Sequence, residues 1–203
     1  MSTLETNLIQ PSTGTALTVG ASGDTITVPS GATFNVAGTL QSGGSAITQG
    51  ITMADQWRLT ANLTTSVGQQ FITANWERND STSSGTIGSA MTESSGVFSF
   101  PSTGVYLIMA GAYFVEGTST AYYAGLNITT TEDNSSYTDR VQTYGHVYNA
   151  SEHISVGLNY IFDVTNTSTH KFKLEAETQT AVTLTGDTDK DRTWVRFIRL
   201  GDT

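Results

Sequence analysis

The chain has 203 residues, a net charge of −9 at pH 7, no cysteine and only 13% charged residues. The lack of cysteine excludes a disulfide framework, a thiolate metal site and a cysteine nucleophile. The acidic balance argues against nucleic-acid binding, which depends on Lys and Arg side chains that neutralise phosphates. This length suits one domain of roughly 130–150 residues with a smaller appendage.

Membrane and secretion signals are also lacking. No run approaches the roughly 20 apolar residues of a membrane span, and the first residues lack the basic and apolar regions of a signal peptide. We therefore expect a soluble protein that is made in a cytoplasm and does not insert into membranes. Its composition is rich in Thr, Ser, Gly and Asn and contains three Lys, which is typical of extracellular β-structure and of virion appendages.

Residues 1–50 contain a short repeat and a single aromatic residue. Residues 25–28 (TITV) and 33–36 (TFNV) predict short strands, and Pro-Ser-Gly at 29–31 predicts a turn between them. One copy of this ladder cannot bury its apolar side chains, because an isolated hairpin is only marginally stable in water. We therefore predict a β shaft of three chains; the alternative is a disordered Ser/Thr/Gly linker. The residues predicted at the trimer interface of the shaft are Ile26, Val28, Phe34 and Val36.

Residues 17–40 resemble the short shaft repeats of bacteriophage fibres. That resemblance implies a shaft within residues 1–50. Because residues 51–203 alone contain enough strands for a self-sufficient domain, we predict that residues 1–50 attach the protein to other virion proteins and that residues 51–203 form an exposed head. The Gly- and Ser-rich residues 41–45 (QSGGS) predict a hinge between the two.

From residue 51 onward, strands recur with turn signals between them, and no segment shows convincing helical periodicity. The longest apolar strand is predicted at residues 105–115 and is apolar on both faces, since successive side chains alternate. A strand with one solvated face should be polar at every second position, so both faces must be covered. We therefore predict a homotrimer. The residues of this strand predicted at the interface are Tyr106, Ile108 and Phe114.

Residues 98–106 (FSFPSTGVY) are similar to the central signature of the jelly rolls shared by tumour-necrosis-factor ligands and complement globular heads. Residues 193–200 (TWVRFIRL) also resemble the final aromatic-rich strand of that family. The resemblance covers roughly residues 51–203 and implies an all-β fold with a C-terminal jelly-roll sandwich. At residues 166–170 (NTSTH) the chain departs from the family's usual Gly-Asp turn, so no calcium or receptor site is carried over.

Two further strands carry inward apolar stripes in the predicted head. One spans residues 154–164, and the other contains Phe172, Leu174 and Ala176. Because side chains alternate, the second strand should expose its charged residues on the opposite face. These are Lys171, Lys173, Glu175 and Glu177.

The sequence shows no strong catalytic or metal motif. Asp187, Asp189 and Asp191 alternate like the first ligands of a calcium loop. Arg192 stands where that loop needs Gly, and the bidentate Glu is missing, so these residues are only weak metal candidates and a solvated turn is the better interpretation. Without paired histidines, a nucleophile elbow or a phosphate-binding loop, we expect neither enzymatic activity nor a cofactor.

These observations favour a non-enzymatic, homotrimeric virion protein of a bacteriophage, acting as a tail fibre or receptor-binding spike. A capsid decoration protein or head fibre meets the same requirements, and a cell-surface adhesin or lectin module is a further alternative. A receptor, either a host surface glycan or a protein, should contact loops 79–88, 129–139 and 186–192. In the second of these loops, Tyr137, Asp133 and Asn134 are the predicted receptor-binding residues.

Overall fold

The computed structural model of the chain describes residues 9, 11, 13–42, 50–115, 122–146 and 152–203, and the backbone of residues 45–46. The chain divides into two compact units, Met1–Ile47 and Thr48–Thr203. We call them the N-terminal unit and the head. The described residues form fifteen strands and no helix. Nowhere in them is there a helix of the length and apolarity needed to cross a membrane.

The N-terminal unit contains two strands of two residues each, which pair with each other in an antiparallel ladder. They are β1 (Gln41–Ser42) and β2 (Ser45–Ala46). Of the segment predicted as a hinge, Gln41, Ser42 and Ser45 are therefore part of a two-stranded ladder.

The remaining strands all lie in the head. In chain order they are β3 (Ala54–Leu59), β4 (Leu63–Thr64), β5 (Gly68–Phe71), β6 (Trp76–Arg78), β7 (Thr92–Ser94), β8 (Val97–Ser99), β9 (Gly104–Val115), β10 (Ala124–Thr131), β11 (Thr138–Gly145), β12 (His153–Val164), β13 (Lys171–Thr178), β14 (Thr183–Leu184) and β15 (Trp194–Gly201).

Two turns of the same kind recur in the N-terminal unit. The backbone N–H of Asp24 donates to the carbonyl of Ala21 at 3.0 Å, and that of Ala32 donates to Pro29 at 3.0 Å. The third residue of each turn is a glycine with positive φ, 92° at Gly23 and 84° at Gly31, as a type II turn requires. The turn predicted at 29–31 is therefore present.

The short strands predicted at 25–28 and 33–36 are not formed within the single chain. In the part of the N-terminal unit that the structure describes, neither segment takes part in a β ladder. A strand is defined by the backbone of its neighbour, and the chain alone supplies none beside these segments.

The head is a sandwich of two antiparallel sheets. One sheet has the strand order β11-β10-β13-β8-β7, with β5 also paired to β13. The other has the order β4-β14-β9-β15-β3-β6, with β12 also paired to β9. The predicted all-β sandwich is confirmed.

The core between the sheets is rich in aromatic side chains. Phe98 is fully buried, and its ring centroid lies 5.3–5.6 Å from those of four other rings. These neighbours are Trp57, Trp76, Phe172 and Phe197. Because the rings meet edge-on or tilted, the face of one contacts the edge of another, which is the favourable geometry for aromatic pairs.

The signature at residues 98–106 has a structural explanation. Tyr106 is fully buried, and its hydroxyl donates to the carbonyl of Ser102 at 2.9 Å, which ties the turn to the core. Gly104 has φ 142°, and a Cβ there would lie 2.6 Å from the carbonyl oxygen of Gly201. Only glycine fits where β9 begins beside the end of β15.

The structure corrects the predicted interface residues of β9. Tyr106, Ile108 and Phe114 are at most 1% exposed and lie inside the sandwich of one chain, so their side chains cannot contact a second subunit. The prediction that both faces are apolar holds, but the chain's own second sheet covers this face. The outward residues of β9 are half-buried. They include Val105, Leu107, Met109 and Tyr113.

Candidate functional site

The outer face of the sheet that contains β9 carries an apolar row across three strands. Ile161 of β12 pairs with Leu107 of β9, and Leu107 pairs with Ile198 of β15. Ile161 is 58% exposed, and Leu200, at the end of β15, is 49% exposed. We call the surface around Leu107, Ile161 and Ile198 the apolar face. Exposed apolar side chains that are neighbours on a sheet are typical of an interaction site.

A groove of about 620 Å³ lies further along the same sheet. Its floor includes the paired residues Gly111 and Gly157, and the indole of Trp194 forms one side. A Cβ at Gly111 would lie 2.7 Å from that indole, so the glycine allows Trp194 to lie close to the sheet. The guanidinium of Arg196 lies 4.2 Å from the centre of the Trp194 ring and extends the face with a cation–π contact.

The four shaft residues predicted at a trimer interface are exposed in the single chain. The exposed fractions are 65% for Ile26, 44% for Val28, 68% for Phe34 and 38% for Val36. Their role in an interface stays a prediction, but their side chains are accessible to another chain.

Two of the three aspartates considered for metal binding, Asp187 and Asp191, have carboxylates that are held by other contacts. Asp187 accepts from Arg192 at 3.1 Å and from the backbone N–H of Asp189 at 2.8 Å, and these bonds hold its pKa below the usual value. Asp191 accepts from Arg196 at 3.0 Å and from Asn79 at 2.6 Å. The described ranges hold no group of three His, Asp or Glu side chains that could bind a metal ion.

The predicted receptor residues lie in the turn between β10 and β11. The carboxylate of Asp133 accepts from the backbone N–H groups of Ser135 at 2.8 Å and Ser136 at 2.7 Å, which holds its pKa far below the usual value. Asn134 adopts φ 60°. Both residues therefore shape the turn itself.

Tyr137 is fixed rather than free at this turn. The ammonium of Lys173 lies 4.0 Å from the centre of the Tyr137 ring and 4.4 Å from that of Phe71. The two rings are 5.9 Å apart. Tyr137 thus belongs to a cation–π cluster on the sheet that contains β13.

The other two predicted loops, 79–88 and 186–192, are joined to each other through the hydrogen bond from Asn79 to Asp191. Among the described residues, no hydrogen bond joins loop 129–139 to either of the other two loops.

The outer face of the sheet that contains β13 carries a network of carboxylates and amides. The side-chain amide of Gln69 donates to Asp139 and Glu177, each at 3.2 Å. That of Asn127 donates to Glu175 at 3.2 Å and to Glu177 at 3.3 Å. We call this surface the polar face. It contrasts with the apolar face because its side chains bond mainly to one another.

The polar face also contains perturbed titrating groups. Burial raises the pKa of Glu175, and the neighbouring Asp139 and Glu177 carboxylates raise it further, against the lowering effect of the Asn127 bond. The hydroxyl of Tyr144 donates to Glu177 at 2.6 Å; this bond lowers the pKa of Glu177, while burial and the same bond raise the pKa of Tyr144. Glu175 is only 7% exposed, so the prediction that it is solvent-exposed is wrong.

Sequence reasoning missed the polar face as a site. Its members come from β5, β10, β11 and β13, which are distant in sequence and adjacent only in the folded sheet. The available signal was alternation, since Lys173, Glu175 and Glu177 share one face of their strand.

Comparisons with known proteins show the fold. No protein-family model matches the chain, and no curated protein matches it. Among solved structures, Eiger TNF from S. frugiperda matches with a TM-score of 0.58 and 12% identity over 75% of this chain and 95% of that one. The crystal structure of murine APRIL at pH 8.5 matches with a TM-score of 0.52 and 12% identity over 73% and 98%. The head is therefore similar in fold to tumour-necrosis-factor jelly rolls, as the signature at 98–106 implied.

Proposed function

We propose that the chain is a non-enzymatic, homotrimeric structural protein of a bacteriophage virion, acting as a tail fibre or receptor-binding spike. The observation that supports self-association best is the exposure of large apolar side chains in both units, represented by Phe34 at 68% and Ile161 at 58%. Each square ångström of apolar surface removed from water contributes about 25 cal/mol. Association of several chains would therefore be favourable at both places.

Three chains suit the N-terminal unit particularly well. Its turns at 21–24 and 29–32 recur along a chain whose intervening segments have no strand partner of their own. If three such segments wind around one axis, the apolar side chains of each can face the centre while the backbones pair between chains. In the head, the apolar faces of the three chains would then pack against one another around a three-fold axis.

A binding role is supported over a catalytic one by the state of the acidic side chains. The carboxylates of Asp139, Glu175 and Glu177 lie on the outer surface of a sheet and are engaged by amide and hydroxyl donors. A hydrolase needs such groups placed across a cleft, with room for substrate between them. In this proposal residues 1–50 attach the protein to other virion proteins and the head faces outward.

A capsid decoration protein is the second candidate. Asp133 is engaged by backbone N–H groups and Tyr137 by Lys173, so neither side chain is free in the manner of a receptor contact. A trimer that coats the capsid needs the same apolar face and the same attachment segment, but no receptor loop.

The location on the particle distinguishes these roles. Antibodies raised against residues 48–203 should label purified particles of the phage that encodes the chain, visualised by immunogold electron microscopy. Label at the tail tip supports the fibre or spike, and label spread over the capsid supports the decoration protein. Particles that carry no label, with the protein detected only in lysate, would contradict the virion role.

A further inference from the structure

A small cavity lies at one end of the polar face. It has a volume of about 240 Å³ and is lined by Tyr123, Tyr144, His146 and Glu177. The two tyrosine rings meet at 83° with centroids 5.5 Å apart, so they form two walls of a corner. The carboxylate of Glu177 closes the third side.

The carboxylate of Glu177 supplies acceptor oxygens at this corner, and Nδ1 of His146 lies 2.8 Å from the carbonyl oxygen of Tyr122. One carboxylate oxygen of Glu177, Oε2, accepts from Tyr144, Gln69 and Asn127. Within the described ranges its other oxygen, Oε1, has no hydrogen bond of its own. An amide nitrogen has two hydrogens, and those of Gln69 and Asn127 are both directed at carboxylates. The corner therefore offers aromatic rings and negative charge, and its amides offer no further donor.

Charge and ring geometry together select a cation. Asp139, Glu175 and Glu177 belong to one network, and a ligand cation would offset their repulsion. The same face already shows the matching contact, because the ammonium of Lys173 lies 4.0 and 4.4 Å from the centres of two rings at its other end. Aromatic faces attract cations at up to roughly 6 Å.

We propose that this corner, formed by Tyr123, Tyr144 and Glu177, binds an alkylated ammonium group. The rings would contact the alkyl substituents and the carboxylate would face the positive charge. A neutral sugar could stack on the same rings, but it carries no positive charge to offset the carboxylate of Glu177. The cavity is also smaller than the roughly 300–1,000 Å³ of pockets for larger organic ligands. The site lies within one chain and depends on neither the proposed trimer nor the virion role.

The test uses the full-length protein and choline chloride as probe. Titration calorimetry should detect choline binding, while 3,3-dimethylbutan-1-ol, which has the same shape without the charge, should bind at least about tenfold more weakly. In proton NMR of the unmodified protein, the choline methyl signal should shift upfield, because the methyl groups lie over ring faces.

Variants locate the binding at the corner. Glu177→Gln keeps the shape and removes the charge, and should weaken choline binding about tenfold. Tyr144→Phe keeps the ring and should bind within about threefold of the parent, whereas Tyr144→Ala should lose binding. Tyr137→Ala, at the other end of the polar face, is the matched control and should leave choline binding unchanged.

Three results would overturn the proposal. One is equal affinity for choline and its uncharged analogue. Another is an unshifted choline methyl signal at millimolar probe with the unmodified protein, a result that does not depend on any variant folding. The third is tighter binding of a neutral hexose than of choline, which would assign the corner to carbohydrate instead.

Discussion

Phe34 in the N-terminal unit and Phe98 in the head are both part of short Ser/Thr-rich segments, yet Phe34 is 68% exposed and Phe98 is fully buried. The difference lies in what surrounds them. Phe98 lies between two sheets of its own chain, whereas the segment around Phe34 is bounded by turns and has no ladder of its own. The large apolar side chains described in the N-terminal unit are therefore not buried by their own chain.

The same contrast recurs between neighbours on one strand of the head. Phe162 is 4% exposed and packs in the core, while Ile161 is 58% exposed on the apolar face. Each head therefore completes its own core but leaves one outer surface apolar. Separate variants can therefore test the side chains that are buried inside one chain and those that would be buried between chains.

The largest expected effect is on assembly into particles. A shortened chain of residues 48–203 should keep its fold, because the described core residues all lie in the head, and should remain associated through the apolar face. It should nevertheless be absent from purified virions, as measured by immunoblot. Incorporation at the level of the full chain would reverse the assignment of the attachment segment.

The next effect separates the two phenylalanines. Phe98→Ala should lower the free energy of unfolding by about 3–5 kcal/mol, because it leaves a cavity in the core. Phe34→Ala is the matched control and should leave unfolding of the head unchanged. Tryptophan fluorescence in urea at equal protein concentration reports this transition selectively, since all three tryptophans are in the head. If Phe34→Ala and Phe98→Ala shift the midpoint of urea unfolding equally, the head does not unfold independently of the N-terminal unit.

A charge on the apolar face should weaken association without unfolding the chain. Ile161→Asp adds a carboxylate to a surface that would be buried between subunits, and should weaken association at least about tenfold. Asn166→Asp adds the same charge at an exposed turn and should have no effect. Sedimentation velocity measures the association, and circular dichroism checks the fold. An unchanged oligomer in Ile161→Asp would remove the apolar face from the interface.

The smallest effect concerns the polar face and pH. Because the folded-state pKa of Glu175 is raised above its usual 4.5, the folded chain loses stability relative to the unfolded chain as pH rises through that pKa. Glu175→Gln should therefore melt slightly higher than the parent near neutral pH, and the gain should vanish well below pH 4.5. Glu177→Gln should act with the opposite sign at neutral pH, because the pKa of Glu177 is lowered. Thermal melting across this pH range checks both signs.

The sequence predicts a structural feature of this chain well when the residues that form the feature are close together along the chain. The signature at 98–106 predicted the sandwich because its buried ring, turn and glycine are local features. The alternation on β9 predicted two apolar faces, but alternation is symmetric and did not indicate which face the second sheet covers. Tyr106 was assigned outward for that reason. Glu175 was misassigned because its partner Asn127 lies on another strand, 48 residues away in sequence.

The measurement that tests self-association most directly is the molar mass of the full-length protein in solution. Size-exclusion chromatography with multi-angle light scattering at micromolar concentration should give three times the chain mass of 21.6 kDa. A stable species of 21.6 kDa at that concentration would contradict the account, because the apolar face and the shaft residues would then remain exposed to water.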